Sequence, residues 1–386
     1  MNKVIAKKHS AGLTVGKIIF LVLLGLLFLF LLGVWLWLNV YTPSLGGTLD
    51  FSPDLGDWPF EVGMFVEEGM EGESRADGSG LSERVSLERR QGDNYKFLIV
   101  GRDEGGLLTD TVMLLHFNIK DAKISLLSIP RDSWINNSLY TGRINAAVAQ
   151  GFNAARRQGK NRDEAFADGV TFLRHVISFT FGLPTDGYIS VNLAGFKALV
   201  DAVGGVEFDV PQNMRYSDPY QNLHINLQAG VQTLDGDKAE QLVRFRAGYA
   251  DQDIGRIRTQ HKFLAALARK MIKFDIQQIR RISDAAAANV ATNLSAANLV
   301  WFAAKLPEVG LENIILHTLP GEPAVTSGGA SVWSLYRAES IQIINEHYNP
   351  HTEDIPEANF NIFELRRTYT HQIDISGVTM AGLLGD

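Results

Sequence analysis

An uninterrupted apolar stretch runs from Ile18 to Val40 near the N-terminus (IIFLVLLGLLFLFLLGVWLWLNV) and contains no charged residue. A run of this length is long enough to cross a bilayer as one helix. It also exceeds the apolar part of a secretory signal peptide, which is usually about 7–15 residues, and no A-x-A-like cleavage site follows it. The sequence therefore predicts one transmembrane helix over residues 18–41 rather than a cleaved signal peptide.

The charges on the two sides of this stretch predict its orientation. Residues 1–17 contain four lysines, whereas acidic residues dominate the segment that follows the stretch. By the positive-inside rule, residues 1–17 are cytoplasmic and everything after residue 41 is extracytoplasmic. The predicted product is a single-pass protein of the cell membrane with an external body.

Composition limits the function of that body. Of the 386 residues 46% are hydrophobic, which is enough for a sizeable core. The net charge of −7 argues against a protein that holds duplex DNA by neutralising phosphates, so no nucleic acid partner is expected. The absence of cysteine excludes disulfides and thiolate metal sites.

The pattern changes after a polar segment. Residues 42–93 are rich in Gly, Pro and Glu and predict a spacer between the membrane and the body. Three apolar runs follow, YKFLIVG, TVMLLHFN and KISLLSI, and they are dense in Val, Ile, Leu and Phe, as buried strands are.

Segments with a helical pattern then alternate with further strands. The helical segments are RINAAVAQGFNAARRQG, DEAFADGVTFLRHVISFTFG, LAGFKALVDAVGG, a stretch from residue 235 and a stretch over about 254–272; the strands are DGYISVN, VEFDV and NIILHT. This alternation predicts a layered α/β domain over residues 94–350. Because its first strands are consecutive, its sheet should be mixed. Residues 351–386 are predicted to be a C-terminal tail.

Two aspartates flank a glycine-rich turn between the first two strands, in GRDEGGLLTDTVML. Asp103 and Asp110 can converge at one edge of the sheet, and two carboxylates beside a phosphorylated substrate are a common way to hold Mg²⁺. The alternative is that both side chains only cap turns, as aspartate often does.

The strand KISLLSI ends at Pro130 and is followed by Arg131 and Asp132. Because proline has no N–H for the ladder, both charged residues leave the sheet at its edge. They could form a surface ion pair, which stabilises by only about 0–1 kcal/mol. Alternatively, Arg131 could offer its planar set of donors to a phosphate.

More arginines follow in LVRFRAG and DQDIGRIRTQHKF. Arg244 and Arg246 are two residues apart, which points both to the same side of an extended backbone. Asp253, Arg256 and Gln260 share one face of a predicted helix because their spacing is three and four. Several arginines near loops of an acidic protein predict an anionic ligand, and a pyrophosphate is the simplest one.

That helical face becomes apolar further along, at Phe263 and Leu267. The first turn of a helix also favours anions through its N–H groups. The combination suits an amphiphile with a charged head, although either apolar residue taken singly fits ordinary core better. Arg143, just before another helix, adds a further candidate cation.

Taken together, these segments resemble the LytR-CpsA-Psr family of bacterial cell-envelope proteins, from about Tyr95 to about Pro350. The resemblance rests on the motifs FLIVGRDEG…TDTVML, SLLSIPRDSWI, RINAAVAQG, DAVGGVEFDVP, LQAGVQTLDGDKAEQLVRFR and DQDIGRIRTQHKFL. No single motif is specific for the family, but the combination of all six in this order, behind one predicted transmembrane helix, is highly specific.

The resemblance implies an α/β/α sandwich with a mixed central sheet and an apolar cleft for a lipid. It implies a phosphotransferase that takes an anionic glycopolymer from a polyprenyl-pyrophosphate carrier and joins it to peptidoglycan through a phosphodiester. The 6-hydroxyl of N-acetylmuramic acid would be the acceptor and polyprenyl phosphate the leaving group. The polymer stays open between teichoic acid, capsule and arabinogalactan.

The resemblance also implies roles for individual residues. Asp103 and Asp110 would hold Mg²⁺, with Mn²⁺ as the alternative. The pyrophosphate-binding residues would be Arg131, Arg244, Arg246, Arg256 and Gln260, with Arg143 as a further candidate. Asp253 would orient the arginines or act as a base toward the incoming hydroxyl, so that Asp253, Arg131 and Arg256 are the predicted catalytic residues.

Two positions depart from the pattern of the family. Gly105 stands where the first motif often has arginine, and Arg102 could replace that cation only if it turns inward. Thr259 stands where the helix motif commonly has arginine before Gln260. Both departures weaken the predicted clamp on the pyrophosphate.

Three other functions compete with transfer. A transcriptional regulator or attenuator is disfavoured by the outward topology, the acidic charge and the lack of a helix-turn-helix pattern. A polyprenyl-pyrophosphate sensor without turnover would suit the two missing cations. A hydrolase would use water in place of the sugar hydroxyl. No Walker A or H-E-x-x-H motif is present.

Overall fold

The structure is a computed structural model, and it describes residues 87–88, 90, 93–102, 107–219, 223–246, 248–249, 253–271, 273–274, 277–278, 281–282, 287–365, 367–368 and 375–385. The predicted transmembrane helix, the N-terminal segment before it and nearly all of the predicted spacer lie outside these residues. Within the described part, none of the helices combines the length and the apolar character that crossing a bilayer requires.

The strands are β1 (Asn94–Arg102), β2 (Thr109–Asn118), β3 (Lys123–Ile129), β4 (Trp134–Asn136), β5 (Thr141–Arg143), β6 (Gly187–Asn192), β7 (Val206–Val210), β8 (Met214–Asp218), β9 (Leu223–Leu227), β10 (Gly230–Leu234), β11 (Val290–Thr292), β12 (Ile314–Thr318), β13 (Gly321–Val325), β14 (Ser331–Leu335) and β15 (Val378–Thr379). The helices are α1 (Ala147–Arg157), α2 (Arg162–Phe181), α3 (Leu193–Ala202), α4 (Gly236–Arg244), α5 (Asp253–Met271), α6 (Ala296–Lys305), α7 (Arg337–His347) and α8 (Met380–Leu384).

A sheet of seven described strands has the order β11-β6-β1-β2-β3-β12-β15. β1, β2 and β3 are antiparallel neighbours because short turns connect them, while β6 runs parallel to β1 and β12 runs parallel to β3. Parallel neighbours need a crossover connection, which the intervening helices supply. The mixed central sheet expected from the sequence is therefore confirmed.

Alternating residues of the central strands pack on opposite faces of this sheet. Leu98 and Val100 of β1 belong to a core cluster that includes residues of α1, α2 and α7. Phe97 of β1 and Met113 of β2 belong to a cluster on the other face, with residues of α5 and α6. Helices cover both faces, which explains why these strands read as continuous apolar runs rather than as alternating ones.

A third core cluster lies beneath α3, α4 and α5. Two antiparallel strand pairs contribute to it, β7 with β10 and β8 with β9. Their strands alternate between buried and exposed residues, as in VEFDV, because one face packs on the helices and the other is solvated. These strand pairs pack on α4 and α5 and hold the two helices beside the central sheet.

The segment predicted to be a C-terminal tail is integrated into the domain where the structure describes it. Ile355, Phe360 and Ile362 are buried in the same core cluster as the central strands. β15 pairs with β12 at the sheet edge, and α8 packs on α5. Because these apolar side chains form part of the hydrophobic core, the described residues after 350 belong to the folded domain and not to a tail.

The close contact between α1 and α2 depends on two glycines. A Cβ at Gly169 would lie 2.5 Å from the backbone oxygen of Val148 and 3.1 Å from the backbone nitrogen of Phe152. A Cβ at Gly151 would lie 2.6 Å from the Cβ of Phe172. Because backbone atoms of one helix face the glycine of the other, a methyl group can enter only if the helices separate.

We expect the substitution Gly169→Ala to lower the free energy of unfolding by about 1–3 kcal/mol, since overpacking outweighs the better helix propensity of alanine. Urea denaturation of the two proteins measures this difference. Asn153→Ala, at an exposed position of α1, is the matched control and should stay within about 0.5 kcal/mol of the parent. Equal midpoints for Gly169→Ala and the parent would contradict this account of the packing.

Candidate functional site

Antiparallel pairing of β2 and β3 brings the first two site residues together. Val112 pairs with Ile129 in this ladder. Two residues further toward the same edge, Asp110 stands opposite Arg131, which follows Pro130 at the exit of β3. Nη1 of Arg131 donates to Oδ1 of Asp110 at 2.5 Å. Asp110 and Arg131 therefore meet at the sheet edge because the antiparallel register of β2 and β3 aligns them.

Two further arginines reach the same carboxylate from distant parts of the chain. Nη2 of Arg246, just after α4, lies 3.2 Å from Oδ1 of Asp110. Nη1 of Arg256, in the first turns of α5, lies 3.9 Å from that oxygen, and its Nη2 donates to the backbone oxygen of Asp110 at 3.1 Å. Three guanidinium groups therefore surround one carboxyl group. We call Asp110, Arg131, Arg246 and Arg256 the arginine cluster.

The charge of Asp110 is set by competing effects. Burial raises the pKa of its carboxyl group, but the guanidinium groups of Arg131, Arg256 and Arg246, together with the hydrogen bond from Arg131, outweigh burial and hold the pKa below the ordinary value of 3.8. Asp110 is therefore ionised at neutral pH. The carboxylate of Asp132 also lies 3.5 Å from Nε of Arg131, but three cations still exceed two anions, so these groups carry a net positive charge suited to a phosphate ligand.

Arg256 is the most buried member of the cluster, with 2% of its side chain exposed. Burying an ion carries a desolvation penalty of several kcal/mol unless partners compensate. Here the carboxylate and the backbone oxygen of Asp110 compensate the buried guanidinium group of Arg256.

A cavity of about 300 Å³ adjoins the arginine cluster. Its polar end contains Asp110, Arg244, Arg256 and Gln260. Most of the remaining lining is apolar, including Ile99, Met113, Phe196, Phe263 and Leu267, and its other polar members are Arg102, Thr111 and Asn192. The cavity thus joins a cationic end to an apolar end, the arrangement that an amphiphile with an anionic head requires.

Helix α5 is fixed to the rest of the domain at several points. Oγ of Ser128 on β3 lies 2.8 Å from Nε2 of His261, both buried, and burial lowers the pKa of His261 to about 4, so this histidine is neutral at neutral pH. Nε2 of Gln260 donates to the backbone oxygen of Val243 at 3.0 Å, which links α5 to α4. These contacts hold Arg256 in a defined position.

Thr259 does not face the arginine cluster. It is buried, its Oγ1 lies 2.7 Å from the hydroxyl of Tyr249, and the same Oγ1 donates to the backbone oxygen of Gly255. The related motif commonly has arginine at this position. Here Thr259 instead makes a packing contact between α5 and the segment before it.

Arg102 lies at the end of β1 and contributes to the cavity wall. Its guanidinium carbon is 4.4 Å from the ring centre of Phe166 on α2, a cation–π contact. α2 belongs to the face of the sheet opposite α5. The guanidinium group is therefore directed toward α2. Arg102 thus does not replace the arginine that the family motif often has at the position of Gly105.

The remaining predicted residues divide into three groups. Arg244 lines the cavity, and its Nη1 pairs with Glu240 one turn earlier at 2.9 Å. Arg143 is turned away from the cluster, because Nε and Nη2 both donate to the backbone oxygen of Ser331, at 3.1 and 2.7 Å. Asp103 and the side chain of Asp253 lie outside the described residues.

One wall of the cavity was missed from the sequence. α3 contributes Leu193, Phe196 and Leu199, which are only half-buried although they are apolar. Their spacing of three residues places them on one helical face. That spacing was the available signal, but it fits an ordinary core face equally well, so only the structure shows that they border a cavity.

The lowered pKa of Asp110 predicts a pH-dependent contribution to stability. A depressed folded-state pKa stabilises the protein above the unfolded value near 3.8, and that contribution is lost as pH falls through the lower folded value. We therefore expect Asp110→Asn to lower the urea midpoint at pH 7 and the difference from the parent to shrink below about pH 4. Asp354→Asn, at an exposed position, should leave the midpoint unchanged at both pH values. A deficit for Asp110→Asn that did not depend on pH would rule out the ion cluster as its cause.

Solved structures share this fold. The crystal structure of TagV from Bacillus subtilis superposes with a TM-score of 0.54 at 20% identity and covers 68% of this chain and 100% of TagV. A structure of TagT described as bound to LIIa-WTA superposes with a TM-score of 0.52 at 23% identity and covers 66% of this chain and 89% of TagT. At these identities the similarity concerns the fold.

Curated relatives match parts of the chain. A probable cell wall biosynthesis protein, LcpB of Corynebacterium glutamicum, is 36% identical over 187 residues, which cover 47% of this chain and 40% of LcpB. The polyisoprenyl-teichoic acid–peptidoglycan teichoic acid transferase TagV of Bacillus subtilis is 29% identical over 192 residues, 48% of this chain and 45% of TagV. The matched region thus spans less than half the length of these relatives.

A family model extends over most of the chain. The model of the LytR_cpsA_psr family matches residues 65–348, a range that contains the arginine cluster, the cavity and every strand of the central sheet except β15. The chain belongs to the LytR-CpsA-Psr family.

Proposed function

We propose that this protein is a membrane-anchored phosphotransferase that moves an anionic glycopolymer from a polyprenyl-pyrophosphate carrier to peptidoglycan. The observation that carries this proposal is the convergence of Arg131, Arg246 and Arg256 on Asp110, a residue at the polar end of a largely apolar cavity. Relatives named as transferases of teichoic acid to peptidoglycan support it.

The two ends of the cavity correspond to the two parts of such a donor. The pyrophosphate would lie at the arginine cluster, where guanidinium groups offer planar sets of donors to phosphate oxygens. The first prenyl units would lie against Phe263, Leu267 and Phe196 in the apolar part. A phosphate alone would account only for the cationic end and a lipid alone only for the apolar end, whereas one amphiphilic ligand accounts for both.

In the reaction, the oxygen of the acceptor hydroxyl forms a bond to the phosphorus on the glycopolymer side of the pyrophosphate. The bond from that phosphorus to the bridging oxygen breaks, and polyprenyl phosphate leaves with the electron pair. The proton of the hydroxyl passes to a base, for which Asp253 is the proposed group. Arg131, Arg246 and Arg256 would stabilise the negative charge on the phosphoryl oxygens and the leaving phosphate.

Asp110 fits a role as a ligand of Mg²⁺ or Mn²⁺. Its carboxylate is ionised and lies among the groups that would hold the pyrophosphate, and Mg²⁺ is commonly held by one or two carboxylates together with phosphate oxygens and water. In the described part of the chain, no cluster of three or more His, Cys, Asp or Glu side chains could hold a metal by itself. Asp103, water and the substrate would supply the other ligands. When bound, the metal would neutralise charge on the pyrophosphate.

The proposed anchor follows from the substrate. A polyprenyl carrier stays in the bilayer, so an enzyme tethered by residues 18–41 would search for it in two dimensions. The body would then be extracytoplasmic, where peptidoglycan is located. The same topology disfavours the transcriptional regulator considered above.

We expect Arg131→Ala and Arg246→Ala each to reduce transfer at least about tenfold, because each removes one charge-stabilising group from the reacting phosphate. The assay incubates the full chain with a lipid-pyrophosphate glycan and peptidoglycan oligomers and identifies products by mass spectrometry. Arg157→Ala, at an exposed position of α1, removes an arginine outside the site and should leave transfer unchanged.

The products separate the competing functions. A phosphodiester-linked glycan on a muropeptide supports transfer, a free phosphorylated glycan indicates a hydrolase, and no product indicates a binding protein. Normal transfer by both folded arginine variants would refute the proposed clamp.

We also expect EDTA to suppress transfer at least about tenfold and added Mg²⁺ to restore it, since the metal would offset charge on the pyrophosphate. The double variant Asp103→Asn and Asp110→Asn should show the same loss even with Mg²⁺ present. EDTA saturated with Mg²⁺ controls for effects of the chelator itself. Undiminished transfer in EDTA would remove the metal from the reaction.

A further inference from the structure

Helix α5 has a narrow exposed face that consists of cations. The positions are Arg258, Lys262 and Arg269 on the helix and Lys273 just beyond its end; we call them the basic stripe. Their spacings of four, seven and four residues place the helical members on one side. Arg258, Lys262 and Lys273 are exposed and Arg269 is half-buried, whereas the neighbouring residues of α5 are mostly core.

The charge of this face is unusual for the chain. The protein carries a net charge of −7, yet α5 contains no acidic residue after Asp253. Exposed helical faces of soluble domains ordinarily mix both signs. The helix dipole favours cations in the last turn, which accounts for Arg269, but its effect falls off within one turn and does not account for Arg258 and Lys262 in the earlier turns. Helix stability therefore does not explain the whole stripe.

Structural ion pairing does not explain the two lysines of the stripe either. In the described part of the chain, Lys262 and Lys273 have no carboxylate partner within 4.0 Å. Lys270, which lies outside the stripe, differs from these two lysines because its Nζ donates to the backbone oxygens of Gly204 and Gly205 at 3.0 and 2.5 Å. Lys270 holds the end of α3, while the exposed lysines of the stripe remain available to an external anion.

The stripe has a defined position relative to the cavity. The opposite side of α5 carries Arg256, Gln260, Phe263 and Leu267, which line the cavity from its cationic end to its apolar end. The stripe runs in the same direction, over about 17 Å from Arg258 to Arg269 at 1.5 Å per residue, and it continues past Leu267. An anionic surface held against the stripe would lie about one helix diameter, roughly 10–12 Å, from the apolar part of the cavity.

We propose that the basic stripe docks the domain on the anionic headgroups of the bilayer, so that the apolar end of the cavity lies beside the membrane. This inference rests on the proposed function, because it takes the cavity to hold a lipid carrier whose remaining tail stays in the bilayer. The stripe extends toward the apolar end, where the tail would leave, whereas the glycopolymer would leave from the arginine cluster at the other end. That direction favours a membrane over the polymer as the partner.

Electrostatic docking makes two predictions about conditions. Cations near an anionic bilayer are attracted in proportion to the surface charge, so docking should require anionic lipid. The attraction is screened when NaCl rises from about 0.1 to about 1 M, because the Debye length falls from about 10 to about 3 Å. An apolar contact with the bilayer would show neither dependence.

The test uses the full chain in nanodiscs. Because the sequence contains no cysteine, Gln277→Cys, at an exposed position four residues after Lys273, provides one unique site for a donor dye. Energy transfer to an acceptor dye on lipid headgroups reports its distance from the bilayer. The discs contain phosphatidylcholine alone or mixed with phosphatidylglycerol. Asn153→Cys, exposed on α1 over the other face of the sheet, serves as the reference label.

We expect energy transfer from position 277 to rise at least about twofold with phosphatidylglycerol and to return to the phosphatidylcholine value at high salt. The double charge reversal Lys262→Glu and Lys273→Glu should abolish the rise. Lys120→Glu with Lys123→Glu changes the net charge equally at exposed positions on and just before β3, and it should keep the rise. A larger response at position 153 than at position 277 would place a different face on the membrane and overturn the proposal.

Two further outcomes would also overturn it. Energy transfer independent of lipid charge, or lost equally in both double variants, would show that the stripe does not dock the domain. Binding of soluble polyphosphate to the stripe on phosphatidylcholine discs, without a response to phosphatidylglycerol, would assign it to the glycopolymer. The transfer assay is read separately: transfer without docking rejects only this inference, and docking without transfer product rejects only the proposed function.

Discussion

The site depends on the attraction between the carboxylate of Asp110 and three guanidinium groups. Arg131, Arg246 and Arg256 come from three separate segments, and like charges would repel one another at this distance if no anion lay between them. Asp110 stabilises their convergence, and the convergence in turn lowers the pKa of Asp110. A ligand with more negative charge than one carboxylate could bind the same donors more strongly.

The apolar half of the site would give the arginine cluster its specificity. A cationic pocket alone would accept any phosphate, whereas Phe196, Phe263 and Leu267 extend the surface away from Arg256 along the apolar part of the cavity. Helix α5 connects the two halves because its first turns carry the cation and its later turns carry the apolar residues. The basic stripe lies on the outer side of the same helix, so under our proposals α5 would contact the head of the ligand, its tail and the membrane.

Much of the central architecture could be predicted from the sequence, because the strand signals are local. The runs that became β1, β2 and β3 lie close together in sequence, so short turns and apolar density were enough to indicate a mixed sheet. The hairpins β8–β9 and β13–β14 were missed, since their strands are short and half-exposed. The described segment after residue 350 looked like a tail because its few apolar residues, such as Phe360, show no period and find partners only in the distant core.

The residue types of the site, their order and the polarity gradient along α5 could be read from the sequence, because these are properties of local spacing. The sequence did not show that Arg246 and Arg256 reach the same carboxylate, or that Arg143 turns to Ser331 and Thr259 to Tyr249. Most of these contacts join residues far apart in the chain, and the packing of helices and strand pairs on the sheet sets the directions of the side chains.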